Sequence, residues 1–349
     1  MKKITVIVAV LLAIASCKEQ GKTTDSEIFL SGQEFTVTDG DMFVNDFLAV
    51  TDSIFVFQSF DDRGNIKVYK KDGMTVSESY KFLRKGRGTQ EINFINSRCF
   101  GDNLVAFDKL GGAGIDKMIR AEIDVESPKH ITVDQIDWLN DVQTFGDFVR
   151  ISDTSFIAIA GKWGEKELIS VVDVKNRQRK PIDFWPDDNQ EASIRSQQNL
   201  YSRNAHIGLN ADKTKLVYGC GEGRYLDIMT LDGMNITGHN LVLDILPEYG
   251  FNGTNTVIKN KEYRGITIKT TADRIYVTYS NPVNDTDYKG FPWYFTDLVD
   301  TYDWDGNKVQ RYVTDQPFFN FYVSPDDSEI YTLTQDNDTK ETIIKMYCL

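Results

Sequence analysis

The stretch Asp273-Arg-Ile-Tyr-Val-Thr-Tyr279 joins one Asp to a run of alternating β-branched and aromatic residues. Asp favours a turn because its side chain can bond to backbone amides two residues ahead, and alternating bulky apolar residues favour a buried β-strand. The same pattern starts at five further positions, namely Asp52, Asp102, Asp153, Asp212 and Asp327. Successive copies are 50, 51, 59, 61 and 54 residues apart, so the chain is predicted to contain six similar β units.

Hairpin signals and further apolar runs complete each unit. Asp72-Gly73, Asp232-Gly233 and Asp305-Gly306 each follow a second strand-like run, and Asp-Gly favours the tight turns of β-hairpins. Strand-like segments also precede the Asp repeats, at residues 43–50, 145–151, 263–270 and 318–323. Each unit is therefore predicted to be a four-stranded antiparallel meander. Six such meanders favour an all-β, six-bladed β-propeller over a sandwich or a single large barrel, whose interior would remain unfilled.

The two ends of the chain predict how the ring closes. The last unit supplies only three strands, the third at residues 342–349, so its fourth strand must come from elsewhere. Residues 27–37 form an unassigned strand-like segment. We expect this N-terminal strand to close the ring onto the last blade, because closure removes two exposed sheet edges.

The N-terminus resembles an export signal. Lys2 and Lys3 precede an apolar run at residues 4–15, which is too short to span a bilayer. Ile14-Ala15-Ser16-Cys17 resembles the lipobox of bacterial lipoproteins, although an ordinary signal peptide with an incidental Cys is the alternative. We predict a signal peptide at residues 1–16, diacylglyceryl and acyl groups on Cys17, a flexible tether at 17–26 and the propeller at 27–349. The lipid would anchor the protein in the outer membrane, with its periplasmic or surface exposure left open.

Composition limits the classes of partner. The formal net charge is −13, from 52 acidic and 39 basic residues, which argues against a nucleic-acid partner and favours a soluble exported body. Apart from Cys17, the chain has Cys99, Cys220 and Cys348, whose spacing fits neither a metal site nor a redox pair. We expect buried free thiols, with one disulfide and a spare Cys as the alternative. No cofactor is predicted.

Several segments resemble the TolB-like six-bladed propeller lipoproteins of Bacteroidetes. They include Arg84-Lys-Gly-Arg-Gly-Thr-Gln-Glu91, Arg203-Asn-Ala-His206 and Tyr302-Asp-Trp-Asp-Gly306, together with residues 212–218 and 330–333. Thr89-Gln90 stands where the family usually has Pro-Gly, so the loop conformation could differ there. The resemblance implies the fold; the family has no established biochemical role, and one fold can carry many kinds of site.

Cationic residues mark the first candidate sites. The backbone amides of Gly86-Arg87-Gly88 could form an anion-binding nest, flanked by Arg84 and Lys85. The alternative is a tight turn in which an Arg pairs with Glu91. Near the starts of innermost strands stand further cations that could line the central channel, namely Arg195, Arg203, His206 and Arg264.

Aromatic residues mark a second candidate. Phe291-Pro-Trp-Tyr-Phe295 lies in the longest insertion of the fifth unit, where Trp293 and Tyr294 could bind a sugar or grip a partner. The alternative is a loop folded back as a hydrophobic plug, and Phe184-Trp185-Pro186 has the same two interpretations. The three histidines, His130, His206 and His239, have no metal-ligand spacing. The acidic segments 284–287 and 336–341 are interpreted as solvated turns.

No spacing typical of a catalytic or metal site is present, so the sequence favours a non-catalytic module. We expect it to bind a protein, peptide or glycan partner while its lipid holds it on the membrane. A metal-dependent hydrolase or lyase with its site in the central channel is the alternative. A structural scaffold within an envelope complex is a third possibility.

Overall fold

The computed structural model describes residues 27–38, 42–61, 64–93, 95–109, 114–139, 141–188, 192–252, 255–259, 265–279, 289–336 and 338–349. The predicted signal peptide, Cys17 and the predicted tether lie outside these ranges. No helix among the described residues is long and apolar enough to cross a membrane.

The described chain forms twenty-eight strands, which we number in chain order. They are β1 (Glu27–Leu30), β2 (Gln33–Glu34), β3 (Thr36–Val37), β4 (Asp46–Val50), β5 (Ile54–Asp61), β6 (Gly64–Asp72), β7 (Thr75–Phe82), β8 (Ile95–Phe100), β9 (Asn103–Lys109), β10 (Ile115–Glu122), β11 (Lys129–Gln135), β12 (Val142–Arg150), β13 (Ser155–Lys162), β14 (Ile169–Asp173), β15 (Gln178–Ile182), β16 (His206–Leu209), β17 (Lys215–Gly219), β18 (Arg224–Asp232), β19 (Asn235–Ile245), β20 (Tyr249–Asn252), β21 (Asn255–Ile258), β22 (Ile266–Thr270), β23 (Arg274–Tyr279), β24 (Thr296–Asp303), β25 (Lys308–Phe318), β26 (Asn320–Val323), β27 (Glu329–Gln335) and β28 (Thr342–Cys348).

These strands build the predicted six-bladed β-propeller. The blades are the antiparallel meanders β4–β7, β8–β11, β12–β15, β16–β19, β22–β25 and β26–β28, numbered here as blades one to six. Their innermost strands contact one another in the cyclic order β4, β8, β12, β16, β22, β26 and back to β4. A closed ring of six sheets around a central channel follows from these contacts.

Each repeated Asp lies in the turn between the first and second strand of its blade. Antiparallel order puts all six of these turns on one side of the ring, which we call the lower face. The upper face is the opposite side, where the innermost strands begin. On the lower face the Tyr276 hydroxyl donates a hydrogen bond of 2.9 Å to Asp327 of the next blade. The predicted hairpins also form there, with Gly73 and Gly233 at φ of 58° and 60°, a region that favours glycine.

Residues 27–37 form a strap around the outer rim of three blades. The middle strand, β2, pairs with β28 and supplies the missing fourth strand of the sixth blade, as predicted. The strap also extends to both neighbours, since β1 pairs in parallel with β25 of the fifth blade and β3 in parallel with β7 of the first. One short segment therefore joins the last two blades to the first.

Aromatic side chains fill the space where the strap closes the ring. Phe35 is only 3% exposed, and its ring centroid lies 5.1 Å from that of Phe55 and 6.3 Å from that of Tyr331. Phe55 belongs to the first blade and Tyr331 to the sixth, so Phe35 packs at the seam between them. Burying an aromatic side chain of this size stabilises the closed ring by about 2–3 kcal/mol.

The structure contains elements that the sequence did not predict, because only β units were expected. An α-helix, α1 (Ile194–Ser202), lies between the third and fourth blades, the hairpin β20–β21 lies between the fourth and fifth, and a 3₁₀-helix spans Asp137–Leu139. Ser193 caps α1 by accepting a bond from the amide of Ser196. Asp188 accepts hydrogen bonds from the hydroxyls of Tyr201 in α1 and of Tyr249 in β20, the second at 2.6 Å. These bonds hold the helix and the hairpin together above the blades.

The three cysteines outside the N-terminus are free thiols, as predicted. Cys220 is buried, and burial raises the pKa of its thiol to about 11. The expectation of burial holds only in part for Cys99, which is half-buried, and is wrong for Cys348, which is exposed. Cys348 ends β28 at the lower face.

Candidate functional site

The channel at the centre of the ring encloses a cavity of about 840 Å³. All six innermost strands line it, and so do loops on both faces. At the upper face the wall includes Trp163 and Arg203, and at the lower face Ala211, Ala272 and Pro325. The cavity thus extends along the full length of the innermost strands, and its volume is in the range of small-ligand sites.

One side of the channel wall carries a half-buried carboxylate network. Asp147 on β12 accepts the backbone amide of Ile207 at 3.1 Å and lies 3.7 Å from His206 Nδ1. Arg98 on β8 lies 3.4 Å from Asp147 and also donates to the carbonyl oxygens of Phe148 and Ile207, at 2.8 and 3.2 Å. Burial alone would raise the pKa of Asp147, but the charge of Arg98, the nearby His206 ring and the hydrogen bond from the Ile207 amide lower it to about 2. Asp147 is therefore an anion at neutral pH and joins the second, third and fourth blades.

An ion pair spans the other side of the channel. Lys269 Nζ on β22 lies 3.0 Å from Asp46 Oδ1 on β4. The strands belong to the fifth and first blades, so the lysine side chain passes the sixth blade to reach its partner. In this pair and in the Asp147 network each charged side chain faces one of opposite charge, so the channel wall is polar and its charges are neutralised locally.

The upper mouth of the channel is shaped by the end of α1. Helix α1 stops at Ser202, and Asn204 adopts a left-handed φ of 52°, which asparagine tolerates better than most residues. Arg203 then projects at the mouth, where its Nε lies 3.2 Å from Glu222 of the fourth blade. Asn199, Asn204 and the half-buried Trp163 line the same mouth. The upper mouth is thus lined by one indole, two side-chain amides and the Arg203–Glu222 ion pair.

The channel differs in charge from the protein as a whole. Its lining contains three permanent cations, Arg98, Arg203 and Lys269, against two carboxylates, Asp46 and Asp147. The entire chain has a formal charge of −13. Because Arg203 is itself paired with Glu222, the channel is close to neutral within an acidic protein, which favours polar ligands without a large charge.

Two of the four predicted channel cations line the cavity. Arg203 lines the cavity at the upper mouth, and His206 lines it at the start of β16. Arg195 lies exposed on α1 and does not line the cavity. Arg264 lies outside the described residues.

The glycine loop is occupied by its own carboxylate. Glu91 Oε2 accepts the backbone amide of Gly88 at 2.8 Å, and a Cβ at Gly86 would collide with the same carboxylate. The buried Lys117 supports the loop from below by donating to the Gly88 carbonyl oxygen at 2.7 Å. Arg84 and Arg87 are exposed on this loop, away from the channel lining. Glu91 thus takes the place that an external anion would occupy.

The aromatic loop of the fifth blade is divided between core and surface. Phe291 and Phe295 are buried, with ring centroids 5.0 Å apart, and Phe295 also packs on Phe319 at 5.4 Å. Tyr294 is 44% exposed, and Trp293 is half-buried against it. The loop therefore has an anchored base and an aromatic pair on the upper face, outside the channel lining.

Phe184-Trp185-Pro186 has a structural role. Phe184 is buried with its ring 5.0 Å from that of Tyr218, and Trp185 packs edge-on against Tyr201 at 5.7 Å. These contacts attach the end of the third blade to α1 and the fourth blade.

The described residues contain no group of three or more His, Cys, Asp or Glu side chains that could hold a metal ion. Asp336 instead accepts the backbone amides of Asp338 and Thr339, both at 2.8 Å, as a turn residue does. The acidic segment at 284–287 lies outside the described residues.

Sequence reasoning missed most of the channel wall. It did not single out Asp46, Arg98, Asp147, Trp163, Asn199 or Lys269, all of which line the cavity. A usable signal was present for four of them. Asp46, Arg98, Asp147 and Lys269 are charged residues within the innermost strands, where a polar side chain on an otherwise apolar strand must face either the channel or a buried partner.

No protein-family model matches the chain, and no curated protein sequence matches it. Similar solved structures include a protein of unknown function from Desulfotomaculum acetoxidans, with 10% identity, 85% of this chain and 78% of that chain covered, and a TM-score of 0.39. Hydrazine synthase of Kuenenia stuttgartiensis shows 12% identity over 90% and 76% of the two chains, with a TM-score of 0.44. A chain of the mitotic checkpoint complex shows 11% identity over 85% and 71%, with a TM-score of 0.40. Such low similarity supports no conclusion about function, and the fold assignment rests on the strand order described above.

Proposed function

We propose that this chain is an envelope-anchored binding protein that holds a polar oligomer, a glycan or a short peptide, in the channel of its propeller. The observation that carries the proposal is the upper mouth, where Trp163, Asn199 and Arg203 converge on one cavity. An indole offers a flat apolar surface for a sugar or a side chain, and amides and a guanidinium orient polar groups around it.

The dimensions of the channel favour a slender ligand over a folded partner. A cavity of about 840 Å³ accepts a few sugar or amino-acid residues but not a protein domain. The charged groups of the wall already satisfy one another, as in the pair formed by Lys269 and Asp46. A ligand that brings hydrogen-bonding groups without a large charge would fit such a wall without leaving a charge of its own unpaired in the channel.

The location of the protein is part of the same proposal. The lipobox-like Ile14-Ala15-Ser16-Cys17 supports attachment of the chain to the outer membrane through lipid on Cys17. The segments quoted above support membership of the TolB-like propeller lipoproteins of Bacteroidetes. A lipid anchor would hold the open channel at the membrane surface, where envelope glycans and peptides are concentrated. The hydrolase or lyase alternative has no supporting observation among the described residues.

Binding can be tested with the full chain against arrays of purified oligosaccharides and short peptides, followed by titration calorimetry of any hit. Trp163→Ala should weaken binding of a channel ligand about tenfold or more, since removing a central aromatic anchor commonly costs 2 kcal/mol or above. Asn199→Ala should weaken it less.

Trp293→Ala is the matched control, because Trp293 lies on the same face outside the channel lining. It should leave the affinity for a channel ligand unchanged. A ligand whose affinity depends on Trp293 and not on Trp163 would move the site to the aromatic loop. The absence of any hit from both arrays would contradict the proposal.

A further inference from the structure

The most exposed large apolar side chain in the described part of the protein lies on the strap. Phe29 in β1 is 75% exposed, and its neighbour Ile28 is 43% exposed. Exposed apolar residues on an outer strand are costly in water and create a risk of edge-to-edge association. Contact with an apolar partner surface would remove this cost.

The position of β1 within its sheet places these residues at the outer rim. The sheet order is β1-β25-β24-β23-β22, and β22 lines the channel. Four strand spacings separate β1 from the channel wall, a distance of about 19 Å at the usual 4.7–4.9 Å per strand. Phe29 therefore projects from the circumference of the ring and belongs to neither the upper nor the lower face.

Apolar surface is exposed on both sides of this sheet edge. Successive residues of a strand project to opposite sides of its sheet, so Ile28 and Phe29 are exposed on the two sides of β1. We call Ile28 and Phe29 the rim patch.

The rim patch lies next to the predicted anchor in the sequence. Ten peptide steps separate Cys17 from Glu27, so a fully extended segment would span at most about 35 Å. A lipid on Cys17 would keep β1 within that distance of the bilayer at all times. No other blade is held so close to the anchor by the covalent chain.

We propose that the rim patch is a membrane-contacting surface, and that Phe29 enters the interfacial region of the bilayer beside the lipid anchor. The proposal rests on the lipid anchoring proposed above. Contact through the rim would stand the propeller on its edge, with the channel axis along the membrane plane. Both mouths of the channel would then stay open to solvent.

The contact is expected to be apolar in character. Arg311 is already paired with Asp300 through two bonds of 2.7 and 2.9 Å, and the protein as a whole is acidic. Attraction to anionic headgroups is therefore not its source, and raising the salt concentration should not weaken it.

The test uses the full lipidated chain in vesicles of phosphatidylethanolamine and phosphatidylglycerol. A Cys348→Ser background removes the exposed thiol. Phe29→Cys then receives an environment-sensitive dye, and Thr132→Cys serves as the matched control. Thr132 is exposed on β11, the outermost strand of the second blade, which stands opposite the fifth blade in the ring. A melting curve for each labelled protein verifies that the fold is retained.

The dye at position 29 should shift to shorter wavelength and be quenched by brominated lipid, in low and high salt alike, while the dye at position 132 stays solvent-like. Equal responses at the two positions in a protein that floats with vesicles would overturn the rim contact and leave the anchor intact. Failure of the full chain to float with vesicles would overturn the anchor and the rim contact together. Purified vesicles contain no other protein, so a partner protein cannot produce the expected result.

Discussion

Lys269 Nζ lies 3.0 Å from Asp46 Oδ1 although 223 residues of sequence separate them and a complete blade stands between their strands. Arg98 similarly extends past the third blade to the carbonyl oxygen of Ile207, at 3.2 Å. The charged residues of the channel thus connect blades that are not neighbours in the ring. They lie in the central channel, which the innermost strands of all six blades line.

The Lys269–Asp46 pair should add little to global stability. Both side chains are partly accessible, at 19% and 35%, and accessible ion pairs contribute about 0–1 kcal/mol. In a double-mutant cycle with Lys269→Met and Asp46→Asn, urea unfolding should give a coupling energy below about 1 kcal/mol. A coupling of 3 kcal/mol or more would show that the pair behaves as a desolvated one.

Asp147 should make the protein sensitive to acid. Its pKa is lowered from 3.8 to about 2, so its carboxylate stabilises the fold above pH 4 and loses that contribution as the pH falls towards 2. The shift corresponds to about 2 kcal/mol. Between pH 5 and pH 2 the free energy of unfolding should fall by about that much more in the wild type than in Asp147→Asn. Parallel pH profiles for the two proteins would contradict this prediction.

Phe35 should be the critical residue of the strap. Phe35→Ala removes a ring packed between the first and sixth blades and should lower the free energy of unfolding by about 3–5 kcal/mol. Phe29→Ala is the matched control on the same strap and should change it by less than about 0.5 kcal/mol, because Phe29 is 75% exposed. Deleting residues 27–37 should abolish the single cooperative transition. An unchanged melting temperature after the deletion would mean that the strap does not close the ring.

The three thiols should differ in reactivity. Cys348 is exposed and should react first with a thiol reagent in the native protein. Cys99 is half-buried in the channel lining and Cys220 is fully buried; burial raises the pKa of Cys99 above the usual thiol range and that of Cys220 to about 11, so both should react more slowly than Cys348, and Cys220 slowest. Counting the thiols modified before and after addition of denaturant measures the difference. Fast modification of Cys220 in the native state would contradict its burial.

The blades were predictable because their signals are local. Asp273 and the strand after it specify a turn and a pleated apolar surface without help from distant residues, and the regular spacing of six such copies specifies the ring. The closure by the strap was predictable as well, because the sixth unit lacked a strand. Its extension onto β25 and β7 was not, since a four-residue edge strand such as β1 carries no pairing preference in its own sequence.

The channel wall was harder to predict because its residues are defined by distant partners. Nothing around Lys269 in the sequence indicates that its ammonium group reaches Asp46 in another blade. Helix α1 was missed for a different reason. Its residues Gln197, Gln198 and Asn199 show no apolar period, and its Tyr201 is held by a bond to Asp188 at the other end of an insertion.

The strap also has a consequence for how the chain acquires its structure. Glu27 is paired with Arg311, so β1 must wait until β25 has been synthesised before it can take its place. Pairing between positions so far apart in the chain delays folding, because the intervening loop has to be closed first. Until then the outer strands of the first and sixth blades present open edges that can associate with other chains. An exported form of this protein would therefore need protection from aggregation until its final blade has crossed the membrane.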